Sequence, residues 1–156
     1  MEFTREALER AGFAGFIRMN SSSTADAPAA AGVYVVYRPA TARPVFLPKS
    51  KADRHRDPSQ LLDVVAQAWV DGAQVVYIGK ATFLRRRIAQ YRRFGAGTSD
   101  THWGGRYIWQ LDDQDELLVA WRAIAAGEIP QAAETALIAH FMARHQGRMP
   151  FANLRL

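Results

Sequence analysis

Cysteine is absent from the 156 residues. That excludes disulfides, thiolate zinc sites and a cysteine nucleophile. Histidine is scarce: His55, His102, His140 and His145 are all there are, and with no cysteine to complete a ligand set a structural zinc is rejected as well. No apolar run approaches the roughly 20 residues that span a bilayer. The opening MEFTREALERAGF carries charges throughout and lacks the apolar core of a secretory signal, so the reading is a soluble, cytoplasmic protein. There is no repeat and no linker-like stretch, and residues 1–156 read as one domain.

What is present is core-forming material and positive charge. The chain is 49% hydrophobic and 11% aromatic, and its 20 basic against 15 acidic residues leave a formal charge of +5. An excess of this kind favours a polyanionic partner. The charge is concentrated in VVYIGKATFLRRRIAQYRRFG, residues 75–95. Clustering of this sort is better evidence of a nucleic-acid footprint than net charge.

The hydrophobic pattern predicts an N-terminal helix capped by Thr4, then a polar loop over 21–30. The run GVYVVYR predicts a strand over 32–38. A basic, proline-punctuated stretch follows over 39–56, with a short edge strand at 45–47. Asp57-Pro58 predicts the start of a helix over 59–70, with Asp57 as its cap. A second strand over 74–78 is broken by Gly79. Thr82 caps a helix with Leu84, Ile88 and Tyr91 as its apolar stripe. Two strands over 106–111 and 117–124 flank an acidic turn, and a last helix covers 131–146. Strand, helix, strand, helix, two strands and helix make an α+β domain with a small, largely antiparallel sheet of three or more strands.

Phosphodiester hydrolysis needs an activated water, positive charge around the phosphate, and a metal or acid for the leaving oxygen. Gly32-Val33-Tyr34 opens one strand and Tyr77-Ile78-Gly79 ends another. Lys80 and Arg87 follow, Glu134 opens ETALIAHF, and Asn153 lies in PFAN. This ordered set, spanning 32–153, resembles the GIY-YIG nuclease superfamily of homing, excision-repair and restriction endonucleases. The resemblance implies a divalent-metal-dependent endonuclease acting on DNA, with Mg²⁺ or Mn²⁺ as cofactor. It implies that Tyr34 and Tyr77 share the work of activating water, that Arg87 binds the scissile phosphate, and that Glu134 is the carboxylate metal ligand. Asn153 then fixes the far side of the site. Tyr91 occupies a position where relatives carry Tyr or His, and Gly32 and Gly79 belong to the two triplets. Phenols with an ordinary pKa of about 10 need a nearby cation to act as bases, and Lys80 is the candidate neighbour.

This sequence also departs from the pattern. Relatives join the two triplet strands by a short hairpin, whereas here 39–73 form an insert. Its Lys49, Lys51 and Arg54 read as DNA-contacting or as solvated loop charge. Arg85, Arg86, Arg92 and Arg93 read as general phosphate-attracting charge. His102, in a glycine-bordered loop beside Trp103, is a candidate acid/base or phosphate contact. The residues alone leave three things open: DNA or RNA as substrate, oligomeric state, and an alternative reading. In that alternative the chain is a nucleic-acid-binding module or accessory subunit with weak or partner-dependent catalysis.

Overall fold

In a computed structural model the described residues are 2–52, 56–99 and 101–154. In chain order the helices and strands are α1 (Arg5–Arg10), β1 (Ala14–Arg18), β2 (Gly32–Tyr37), α2 (Leu62–Ala68), β3 (Val75–Ala81), α3 (Leu84–Gly95), β4 (Leu118–Ala123) and α4 (Pro130–Arg144). The four strands form one antiparallel sheet in the order β1-β4-β2-β3. The protein is α+β, as the sequence pattern implies.

β2 is central, and every one of its residues is buried. Successive side chains on a strand face opposite ways. Val33, Val35 and Tyr37 join one core with Leu8, Phe13 and the α4 residues Leu137, Ile138 and Phe141. Tyr34 and Val36 join a second core with Leu84, Ile88 and Tyr91 of α3 and with Trp109. Thus α1 and α4 cover one face of the sheet and α3 covers the other. Fully burying a side chain such as Phe141 stabilises by about 1.5–3 kcal/mol.

Thr4 caps α1 as expected, accepting from the Ala7 amide. α3 buries the expected stripe and extends it to Phe94. Other expectations are corrected. Gly79 does not break the second strand, which continues to Ala81. The 106–111 segment is not a strand: residues Trp103–Gln110 form 3₁₀ turns. Its β-branched and aromatic residues suit a strand, but Gly104-Gly105 loosens the backbone, and the apolar residues pack inward as a turn surface. The expected edge strand at 45–47 is a single bridge, Phe46 to Leu111. α2 starts at Leu62, not near Asp57. The Asp57 carboxylate instead accepts from the Ser59 amide and hydroxyl, a local turn that competes with helix. Thr82 does not cap α3. The cap position is Phe83, which makes no side-chain cap bond. The polar loop over 21–30 holds a 3₁₀ turn, Ser22–Asp26.

The stretch between β2 and α2 is tied down. The buried Gln110 amide donates to the Leu47 and Gln60 carbonyls and accepts from the Gln60 amide. Arg38, also buried, pairs with Asp113 at 2.8 Å and donates to the Ala40 and Ala42 carbonyls. Each bond satisfies a polar group that burial would otherwise penalise. The outer edge of β3 is likewise closed: the Ala152 amide donates to the Val76 carbonyl, and Asn153 exchanges two bonds with the Ile78 peptide, each 2.9 Å.

Candidate active site

The end of β3 is where the two faces of the sheet meet. α3 starts there on one face and α4 starts there on the other, and a cleft opens between them. It has two lobes of about 630 and 700 Å³, and both are lined by Tyr77, Lys80, Arg87 and Glu134. Four of the five candidate catalytic residues therefore share one cleft, although they come from β3, α3 and α4.

The fifth, Tyr34, lies behind it. Its side chain is fully buried and lines neither lobe. Tyr34 pairs with Gly79 across the β2–β3 ladder, and its ring lies against that glycine. A Cβ added to Gly79 would come 2.5 Å from Tyr34 Cζ, so only glycine admits the ring. Gly32 is equally constrained, since a Cβ there would run into the Arg122 carbonyl oxygen and Leu84. The two triplet glycines are thus close-approach positions.

Tyr34 Oη lies 2.6 Å from His102 Nε2. His102 is fully buried, and its ring stacks on Tyr91 with centroids 3.6 Å apart and planes 5° off parallel. Tyr91 is held in turn by its hydroxyl, which donates to the Gly105 carbonyl at 2.6 Å. Tyr77 packs edge-on against both Tyr91 and His102. The Arg87 guanidinium donates to the Thr101 carbonyl at 2.5 Å and to Gln90. The loop carrying His102 is therefore anchored to α3 and β2 at three successive points.

Burial is the first cause of every pKa shift in this group. It pushes the Tyr34 phenol well above its ordinary value; interaction with Tyr77 adds to this and Arg87 opposes it. It raises Tyr77, again against Arg87, and it raises Tyr91 well above the ordinary range. Burial, then the charge of Arg87, holds His102 well below its usual value. The imidazole is neutral, and its Nδ1 is buried without a partner. The expectation that cations poise the tyrosines as bases needs correcting on one point. The cation near both phenols is Arg87, and desolvation outweighs it. Lys80 instead pairs with Glu134 at 3.3 Å.

Glu134 sits in the first turns of α4 with its side chain 16% exposed, while Lys80 is 44% exposed. Pairs with an exposed partner are worth about 0–1 kcal/mol, so Lys80 exchanges partners at little cost. No cluster of three acidic or histidine side chains exists among the described residues. A single carboxylate on the wall of a cleft nevertheless suits Mg²⁺, which keeps most of its waters and binds through one or two carboxylates plus substrate phosphate. Glu134 fits that role.

The remaining candidates separate. Asn153 lines one lobe and braces β3 through the Ile78 peptide, so it fixes the strand that carries Tyr77. Arg86 borders the cleft. Arg85 is turned to the Ala27 carbonyl, and Arg92 is half-buried, so neither is plain surface charge. Arg93, Lys49 and Lys51 are exposed. Arg54 and His55 lie outside the described residues. Trp109 and Trp121 are buried in the core, while Trp103 borders the second lobe. Sequence reasoning did not foresee two features: the bond between Tyr34 and His102, and the cleft wall made by Phe83 and Ile129. Only the glycines around His102 hinted at the first.

No family model, curated protein or solved structure matches the chain.

Proposed function

We propose that the chain is a divalent-metal-dependent endonuclease that hydrolyses DNA phosphodiester bonds by water attack. The observation that carries this reading is the cleft shared by Tyr77, Lys80, Arg87 and Glu134. A phosphate binder, a second cation, a phenol and a carboxylate stand together as in-line displacement at phosphorus requires.

Arg87, fixed by Thr101 and Gln90, holds the scissile phosphate, and Lys80 leaves Glu134 to neutralise a second oxygen. Of the two tyrosines, Tyr77 faces the attacking water, since Tyr34 is sealed from the cleft. As the water oxygen attacks phosphorus and the ester bond breaks, Tyr77 takes the water proton while its own phenolic proton passes to Tyr34 and that of Tyr34 passes to His102 Nε2, and the leaving oxygen departs with the bonding pair. Tyr34 and the neutral His102 behind it form a polar path that draws charge away from Tyr77. Glu134 would hold Mg²⁺ or Mn²⁺, which when bound supplies Lewis-acid stabilisation of the leaving oxygen.

The test is supercoiled plasmid incubated with Mg²⁺ or Mn²⁺. Glu134→Ala and Arg87→Ala should each reduce nicking by at least about 10²-fold with circular dichroism unchanged. Unaltered nicking in both variants would overturn the site. Salt-sensitive DNA retention without cleavage under any metal would reduce the chain to a binding module.

A further inference from the structure

Helix starts favour Ser, Thr, Asp or Asn at the cap, because the side-chain oxygen satisfies an otherwise orphaned amide, and losing that bond costs about 1 kcal/mol. Both helices that open onto the cleft break this rule. α3 has Phe83 at its cap and α4 has Ile129, and neither makes a side-chain cap bond. Both are also exposed, Phe83 at 46% and Ile129 at 64%. α2 likewise starts on an exposed leucine, but away from the cleft. Neither stability nor solubility accounts for two large exposed apolar residues on the wall of one cleft. Such local violations mark functional positions.

The two lobes are alike in layout. On one side of the shared residues stands Phe83, with the Arg86 guanidinium 5.3 Å from its ring centroid. On the other stands the half-buried Trp103, edge-on to Phe94, with the exposed Arg56 4.6 Å from its ring centroid. Past Trp103 a side hollow of about 390 Å³ is bordered by Arg56 and Arg106. Each lobe thus presents an aromatic face beside a guanidinium, with the phosphate binders between. That alternation of ring and cation matches the alternation of base and phosphate along an unpaired strand. A duplex, with its bases stacked inside, has no use for the rings.

We infer that the cleft takes an unpaired DNA strand, with one base stacked on Phe83, another on Trp103, and the phosphate between them on Arg87 and Lys80. Ile129 closes the first stacking slot from the α4 side. The arginines now lying over the rings yield them to the bases and pair with flanking phosphates. An exposed cation–ring contact of this kind is weak enough to be exchanged. The inference rests on the nuclease reading for its orientation, and it assigns the substrate class: single-stranded or locally opened DNA.

The experiment measures binding in EDTA, so that it is independent of cleavage. The probes are a fluorescein-labelled oligothymidylate, a strand of equal length and charge made of abasic units, and a duplex. The wild-type chain should bind the thymidylate about tenfold or more tightly than the abasic strand, and more tightly than the duplex. Phe83→Ala and Trp103→Ala should each lose about tenfold on thymidylate and nothing on the abasic strand. Trp103→Tyr should retain most of the affinity, which guards against misfolding of the alanine variant. Equal affinity for abasic and base-bearing strands, or duplex preference untouched by either substitution, would overturn the inference. Loss of plasmid nicking in the Glu134 and Arg87 variants would leave the nuclease reading standing in that case. Stacking-dependent binding with no metal-dependent cleavage would instead sink the nuclease reading alone.

Discussion

The two faces of the sheet are built from different chemistry. Against α1 and α4 the core is aliphatic and phenyl apart from Tyr37: Leu8, Phe13, Val33, Val35, Leu137, Ile138 and Phe141 make up most of it. No buried side-chain polar atom without a partner falls in this cluster among the described residues. Against α3 the core holds Tyr34, Tyr77, Tyr91, Trp69 and Trp109, with His102 packed among the tyrosines. Among the described residues four unpartnered buried nitrogens lie on this side: Trp69 Nε1, Trp109 Nε1, His102 Nδ1 and Arg92 Nε of α3. Leaving a buried polar atom unmet costs about 1–3 kcal/mol, a penalty the first face avoids. Within β2 the change of character occurs between adjacent residues, from Val33 to Tyr34. One side of the strand serves an apolar core and the other backs the proposed site.

The largest test of that division compares Tyr34→Phe with Phe141→Ala. Removing the Tyr34 hydroxyl should lower plasmid nicking by about 10²–10⁴-fold, while the urea midpoint moves by the equivalent of about 1–3 kcal/mol, since His102 Nε2 loses its partner. Truncating Phe141 should cost about 3–5 kcal/mol and leave the rate per folded molecule unchanged. A similar fall in rate for both would erase the distinction between the faces. Gly79→Ala comes next. The added methyl meets Tyr34 on a central strand that cannot move aside, and a loss of about 1–3 kcal/mol is expected, with nicking reduced as Tyr34 shifts. Stability equal to wild type would show that the ring has room after all.

The smallest effect concerns acid. The folded protein holds His102 below its ordinary value of about 6.5, so below that pH the unfolded chain binds more protons. The contribution is complete above about pH 6.5 and is lost as the pH falls, by up to about 1.4 kcal/mol per pH unit. Tyr34, Tyr77 and Tyr91, all raised above the ordinary phenol value, stay protonated throughout this window, so none of the phenols facing the imidazole masks it. Chemical denaturation of wild type and His102→Asn at about pH 7 and pH 5 should show a shallower pH slope in the variant. Parallel slopes would mean that the imidazole titrates normally.

Much of this architecture was written into local sequence patterns. β2 and β3 were legible because Val, Ile and Tyr alternate or run together between glycines. α3 and α4 were legible from their apolar spacing. β1 was not, because AGFIR is short, holds a bulge, and needs positive φ at Gly15 and Phe16, which no periodicity signals. The 106–111 segment read as a strand because Tyr, Ile and Trp favour strands wherever packing does not overrule them. The cleft residues were recoverable as an ordered set. Their division into a cleft-facing Tyr77 and a sealed Tyr34 was not, since alternation gives a residue's face but not what covers it. His102 found its partner 68 residues away through the stacking of its loop on Tyr91, a contact with no local signature.

Asn153 has a consequence beyond the site. β3 is an edge strand, and an uncovered edge is a template on which a second chain can lay its own strand. The Asn153 side chain imitates the next strand's peptide, offering one donor and one acceptor to Ile78, while Ala152 supplies the amide for Val76. The same two residues that hold Tyr77 in register therefore also act as a guard against sheet-to-sheet polymerisation. Loss of the cleft's geometry and loss of colloidal behaviour are, at this edge, a single failure.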